Sequence, residues 1–290
     1  MTETHLFDAA IALEAQGDSG AQGSTGAAHP AWNNMVGPCC GISAAILLNA
    51  VMQHPDRLGE PVALTVNFAG ALAPGPFTVL ARAARTNRST QHWTIELCQS
   101  AGTGTGTGDD AEQVVVLTGT AMTALRRDTW AAMDTPMPQV QAPQQVERMR
   151  HKQGVEWLNR YDMRAVQGAI PSRWDGQAAS DDPLAASLTQ LWMRDDPPRA
   201  LDYCALAAIA DIFFPRIWLR RATMVPVGTV SMTVYFHVDQ AELTQTGTGY
   251  VLGQARAQAF GKGFFDQTAQ LWSESGVMLA TTHQVVYYKH

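Results

Sequence analysis

Leu64-Thr65-Val66-Asn67-Phe68 returns as Met232-Thr233-Val234-Tyr235-Phe236 at an offset of 168, and this recurrence decides how the 290-residue chain is read. Working outward, Val116-Leu117-Thr118-Gly119-Thr120 returns as Met278-Leu279-Ala280-Thr281-Thr282 at an offset of 162. The apolar run Ala45-Ile46-Leu47-Leu48-Asn49 returns as Ala207-Ala208-Ile209-Ala210-Asp211 at the same 162. An apolar helix followed by a run of strands is therefore stated twice. Overlaying the copies sets Asp211 opposite Asn49, Thr229 opposite Pro61 and Gln284 opposite Met122. The second copy alone carries this polar set, which predicts one working site and one copy kept as wall.

The totals agree with a fused pair. A chain of 290 residues exceeds the usual size of a single core. Hydrophobic content of 46% with 16% charge describes a well-buried globular protein. The net charge of −6 supplies no basic excess to displace phosphate counterions, so nucleic-acid binding is not expected. The longest apolar stretch, Gly41 to Met52, contains Ser43 and Asn49 and falls short of the ~20 residues a bilayer span needs. Met1-Thr2-Glu3-Thr4-His5 lacks a basic start, and Phe7-Asp8 interrupts any apolar leader. Adjacent Cys39 and Cys40, with Cys98 and Cys204, offer neither CxxC spacing nor a shared disulfide. These features predict a reduced, cytoplasmic protein with no metal and no cofactor.

Along the chain, Leu6 to Leu13 reads as a first strand, followed by a small-residue loop over Gly17 to Ala28. Gly37-Pro38 opens a helix that His54-Pro55-Asp56 closes, apolar on nearly every side and hence wrapped by other structure. Strands are predicted over Val62 to Ala69, Phe77 to Arg85, Gln91 to Cys98 and Gln113 to Met122, the last pair joined by the Gly/Thr tract Gly102 to Gly108. Residues 126–152, rich in Pro and Gln, read as a linker between units at 1–125 and 153–290. The second unit should contain a strand from Val155 to Gln167 and a polar loop over Trp174 to Asp182. Leu188 to Arg194 is open between strand and helix end, and a helix from about Leu201 to Phe214 is stopped by Pro215. Strands follow over Val230 to Val238, Tyr250 to Phe260, Asp266 to Ser273 and Val277 to Tyr288. Helix then meander, twice over, predicts an α+β double hot-dog: two antiparallel sheets, each curved round one apolar helix, paired edge to edge.

Asp211 lies among Ala210, Ile212, Phe213 and Phe214, where an ionised carboxylate requires hydrogen-bond partners. A cap or a solvent-facing residue is the alternative. Thr229 follows Gly228 at a strand start, where a hydroxyl can orient a water or simply fill a strand position. Gln284 stands at an otherwise apolar position of the last strand, able to hold a water with one end and a carboxylate with the other. His237 and Asp239 have the types needed for a hydratase base pair, or form a solvated pair at a strand end. Cys39 or Cys40 at a helix start could be a nucleophile or a small packing residue, and Gly102 to Gly108 lacks the Lys-Ser/Thr of a phosphate loop.

Over nearly its whole length the chain resembles the acyl-CoA thioesterase II type, the double hot-dog thioesterases. The resemblance is carried by Asn34 to Ala45, by Ala210-Asp211-Ile212-Phe213-Phe214-Pro215, by Thr229 through His237, and by Leu279 to Gln284. It implies hydrolysis of an acyl-CoA to free acid and CoA, with Asp211, Thr229 and Gln284 holding the water. Backbone N–H groups at a helix start, Gly41 the best candidate, would bind the oxyanion. Cys39-Cys40-Gly41 departs from the aromatic and two glycines common in the family. Val230-Ser231-Met232 departs from its frequent Asp-His pair, which points to a different substrate or subfamily. The partner implied is acyl-CoA, and open sheet edges make a homo-oligomer, a dimer of double hot-dogs, an expectation. The alternatives are a non-catalytic acyl-ligand-binding protein on the same scaffold and an enoyl-CoA hydratase using His237.

Overall fold

The computed structural model describes residues 4–16, 23–35, 37–100, 112–150, 155–177 and 180–289. The first half contains α1 (Leu6–Ala10), β1 (Glu14–Ala15), β2 (Ser24–Ala27), α2 (Cys40–Met52), β3 (Glu60–Phe68), β4 (Pro76–Thr86), β5 (Thr90–Ser100) and β6 (Gln113–Ala124). The second contains β7 (Tyr161–Gln167), β8 (Thr189–Asp195), α3 (Tyr203–Ile209), α4 (Arg216–Arg221), β9 (Val227–Phe236), α5 (Gln240–Thr246), β10 (Val251–Arg256), β11 (Phe260–Gly261), β12 (Phe264–Ser273) and β13 (Met278–Tyr288).

Alternation along the strands puts Leu64, Val66, Met232, Val234 and Phe236 on one buried face and leaves Thr65, Thr233 and Tyr235 on the other. The two strands with the recurring pentapeptide pair with each other. β3 and β9 run antiparallel with Thr65 opposite Thr233, their Oγ1 atoms 2.9 Å apart, so a pseudo-two-fold axis passes between them. A single antiparallel sheet results, in the order β1-β2-β4-β5-β6-β3-β9-β13-β12-β10-β8-β7, with β11 attached to β12. α2 and α3 pack against each other on its inner face. From Gly41 to Val51 every residue of α2 is buried, as an all-round apolar helix requires. This is the double hot-dog architecture.

Several segments differ from the sequence reading. Residues 6–10 form a helix, not a strand: His5 Nδ1 accepts from the Phe7 N–H at 3.1 Å, and Phe7 and Ala10, three apart, are both buried. The small-residue loop contributes strand β2 at Ser24–Ala27, while Gly17 to Gln22 lies outside the described residues, as does the tract Gly102 to Gly108. β7 begins only at Tyr161, after a 3-10 turn over Glu156–Arg160. The strand expected to reach Phe260 ends at Arg256, because Asp266 Oδ1 draws the N–H groups of Gln258 and Ala259 out of line. α5, unexpected, is fixed by a capping box between Asp239 and Glu242. Residues 135–149 lie against the outer face of β8, β10 and β12. There Trp272 Nε1 donates to Thr135 O, Trp192 Nε1 to Gln141 O and Arg164 to Pro143 O, over an apolar cluster of Val146, Trp192, Tyr250 and Leu252.

Candidate active site

Three pieces of chain converge where α2 begins and α3 ends. The expected helix over Leu201 to Phe214 stops at Ile209, and Asp211 stands in the turn beyond it, where Asp211 N–H donates to Ala208 O and Ile212 N–H to Ile209 O. Tertiary contacts unwind the segment before Pro215 can. The Phe213 ring packs where a side chain on Gly253 would be, its Cζ 2.5 Å from that glycine's missing Cβ. Arg216, fully buried, closes the loop: Nε donates to Phe214 O at 2.8 Å and Nη1 to Thr189 Oγ1 and Ser187 O. With only neutral acceptors around it, burial pulls the Arg216 guanidinium down to about 9.

Gln284 reaches this turn from β13. Its Nε2 donates to Asp211 Oδ1 at 3.0 Å and lies 3.3 Å from the sulfur of Met232, its partner across the β9 ladder. Thr229 would point away from Gln284 in a regular strand, being an odd number of residues from Met232. A bulge in β9 at Val230 corrects this, setting Thr229 opposite Val286 on the inner face. The same irregularity recurs in β3, between Pro61 and Ala63.

The first half contributes the start of α2. A Cβ on Gly41 would meet Ala208 O at 2.5 Å and Asp211 Cβ at 3.2 Å, so only glycine lets the helices approach this closely. Burial raises the Asp211 carboxyl from its ordinary 3.8 to about 7, opposed by the Gln284 hydrogen bond and by the Gly41 N–H. Beside it, Cys40 faces Thr229, and burial pushes its thiol well up. Burial likewise pushes Cys39 up to about 12. Both thiols are neutral near pH 7 and poor nucleophiles. A cavity of about 10 Å³, lined by Asp211, Gly41, Cys39, Ala208, Ile212, Trp157 and Tyr161, opens beside the carboxylate. That volume is close to what one water needs, ~10–15 Å³.

Asp211, Gln284 and Gly41 are thus brought together, and Thr229 stands one residue away, against Cys40. His237 and Asp239 are not: His237 Nε2 pairs with Thr281 Oγ1 at 3.0 Å, while Asp239 caps α5. Among the described residues, no group of three or more His, Cys, Asp or Glu side chains could hold a metal ion, and no helix is long and apolar enough to cross a membrane.

Residues 28–124 match the family described as acyl-CoA thioesterase N-terminal domain, and residues 131–288 match the acyl-CoA thioesterase C-terminal domain. The chain belongs to the acyl-CoA thioesterase family. Solved structures agree in fold. A hot-dog protein of unknown function from Alicyclobacillus acidocaldarius is 41% identical over 99% of both chains, with a TM-score of 0.86. A putative thioesterase II from Thermobifida fusca is 18% identical over 100% of both chains (TM-score 0.77). An acyl-CoA thioesterase II from Mycobacterium marinum is 16% identical over 98% of both (TM-score 0.73). No curated protein matches the chain.

In this acyl-CoA thioesterase family member the pseudo-symmetric position is built differently. Asn49, opposite Asp211 in the overlay, donates to Ile11 O at 2.7 Å. Tyr203, the counterpart of Gly41, fills the inner space, and its hydroxyl donates to Val238 O and Glu60 Oε2. A cavity of about 350 Å³ remains there, bordered by Asn49, Met52, Arg199, Asp202 and Tyr203. Trp157 and Tyr161 at the Asp211 site escape the sequence reading, since nothing in their local pattern ties them to residues 50 or more positions away, and Cys40 is weighed there only as a nucleophile or a packing residue.

Proposed function

We propose that the protein hydrolyses an acyl-CoA thioester to the free acid and CoA in a single displacement. Asp211 serves as general base, with Gln284 and Thr229 fixing the attacking water. The Gln284–Asp211 hydrogen bond of 3.0 Å, which ties a buried carboxylate to an amide from the last strand, is the observation that carries this reading. A carboxyl at about 7 supports it further, because a base works best with a pKa near the operating pH. Asp211 takes a proton from the water as its oxygen bonds to the thioester carbon. The tetrahedral adduct then collapses, the C–S bond breaks, and the proton passes to the departing CoA sulfur. Gly41 contributes its N–H at the start of α2.

Thiol release from an acyl-CoA panel tests the reading. Turnover by the wild type should fall by about 10²–10⁴-fold in Asp211→Asn with the fold retained. An unchanged rate in that variant rules out the assignment. Binding of acyl-CoA with no turnover by the wild type indicates a ligand-binding protein instead, and water addition to a 2-enoyl-CoA indicates a hydratase.

A further inference from the structure

Hydrolysis through a tetrahedral adduct needs hydrogen-bond donors aimed at the oxygen that gains charge. The start of α2 is poorly placed to supply them alone. The Gly41 N–H already stabilises the Asp211 carboxylate, and any Cβ at Gly41 would collide with Ala208 O. An uncommitted donor belongs to a residue that borders this cavity. Trp157 lines it together with Asp211 and Gly41, and the Trp157 Nε1 is sealed from solvent with no hydrogen-bond partner among the described residues. Buried polar groups are nearly always paired, so an orphaned indole N–H beside a water-sized space marks a place where a ligand atom completes the bond.

We propose that the Trp157 indole N–H donates a hydrogen bond to the thioester carbonyl oxygen of the substrate and holds the oxyanion formed from it. This rests on the hydrolytic reading of the Asp211 site. The geometry suits the role. Trp157 sits in the 3-10 turn before β7, its backbone N–H bonded to Asn33 O at 3.4 Å and its ring packed edge-on against Tyr161 at 6.2 Å. The ring is therefore held in place before substrate arrives. Indole is a donor only, and it is uncharged, so it stabilises an oxyanion without drawing Asp211 into an ion pair that would weaken it as a base. Trp32 Nε1 is also unpaired, but Trp32 packs against Tyr161 and does not border the cavity.

The test is steady-state hydrolysis of acyl-CoA by the wild type, by Trp157→Phe, and by protein carrying benzothienylalanine at position 157. That analogue keeps the shape of the ring system and replaces only the N–H with sulfur, which guards against a Phe variant that fails to fold. Both substitutions are expected to lower kcat by about 10²–10³-fold. The KM should stay within about threefold, because the interaction belongs to the transition state. The acid limb of the pH profile should not move, since Asp211 is untouched. Near-wild-type kcat in folded benzothienylalanine protein, or a loss confined to KM, overturns the proposal. A wild type with no thioesterase activity overturns the hydrolytic reading itself, and this inference with it.

Discussion

With its carboxyl raised to about 7, Asp211 is about half protonated at neutral pH, and both activity and stability should report it. A general base works only when deprotonated, so kcat/KM should rise with pH through about 7 rather than through the ordinary carboxylate value of 3.8. Gln284→Ala removes the hydrogen bond that holds this pKa down; the acid limb should move to higher pH as kcat falls. Stability runs the other way. Below 3.8 the folded and unfolded chains both carry the proton; between there and about 7 the folded chain binds more protons, so stability falls as pH rises across that window. Asp211→Asn has no such decline. Scanning calorimetry should find it more stable than the wild type at pH 8 and not at pH 4, on the order of 2–4 °C in Tm per kcal/mol relieved. A variant equally affected at both pH values contradicts the burial argument. The pairing of Asp211 with Gln284 was legible in the overlay of the two copies, because each is polar where its counterpart belongs to a wall. Trp157 is not, since its neighbours are set by the packing of one half on the other, and Cys40 shows in the sequence only as a candidate nucleophile, not as the neighbour of Thr229.

At the scale of elements, the crossing of α2 on α3 controls the site. Gly41→Ala would drive a Cβ into the Ala208 carbonyl, a backbone atom that cannot rotate away, so the helices must separate. Overpacking of this kind costs about 1–3 kcal/mol. A urea titration should show a lower midpoint with unchanged slope, and hydrolysis should fall because Asp211 moves with the turn that follows α3. Unchanged stability and activity would mean that the helices do not meet at Gly41. The central strands β3 to β6, β9, β12 and β13 and the helix α2 follow closely from alternation and from a run that is apolar on nearly every side. The sequence overextends α3 for a definite reason: Pro215 forbids helix beyond it but says nothing of where a helix ends earlier. The ending is decided by Phe213 seated on Gly253 and by Arg216 bonding Phe214 O, Ser187 O and Thr189 Oγ1, contacts that a local reading does not show. α5 carries a legible signal of its own, Asp239 followed three residues later by Glu242.

For the whole molecule, the pseudo-two-fold seam joins stability to function. β3 and β9 complete each other's hydrogen bonding across Thr65 and Thr233, and α2 and α3 bury each other's apolar faces. The polar set Asp211, Thr229 and Gln284 comes from the second half, yet Cys39, Cys40 and Gly41, which close the site around it, come from the first. A fragment of residues 126–290 would therefore expose the whole edge of β9 and the apolar side of α3, and an edge of that length recruits another strand. The surface at hand is a second copy of the same fragment, since β9 already pairs with a strand of similar sequence across a two-fold seam. Size-exclusion chromatography should find the fragment as a self-paired or aggregated species. It should have no hydrolytic activity, because Tyr203 would then stand where Gly41 belongs. Co-expression with residues 1–125 should restore a one-to-one complex and thiol release. A monomeric, active C-terminal fragment would show that the site needs nothing from the first half, and the duplicated scaffold would then be a tether rather than a wall.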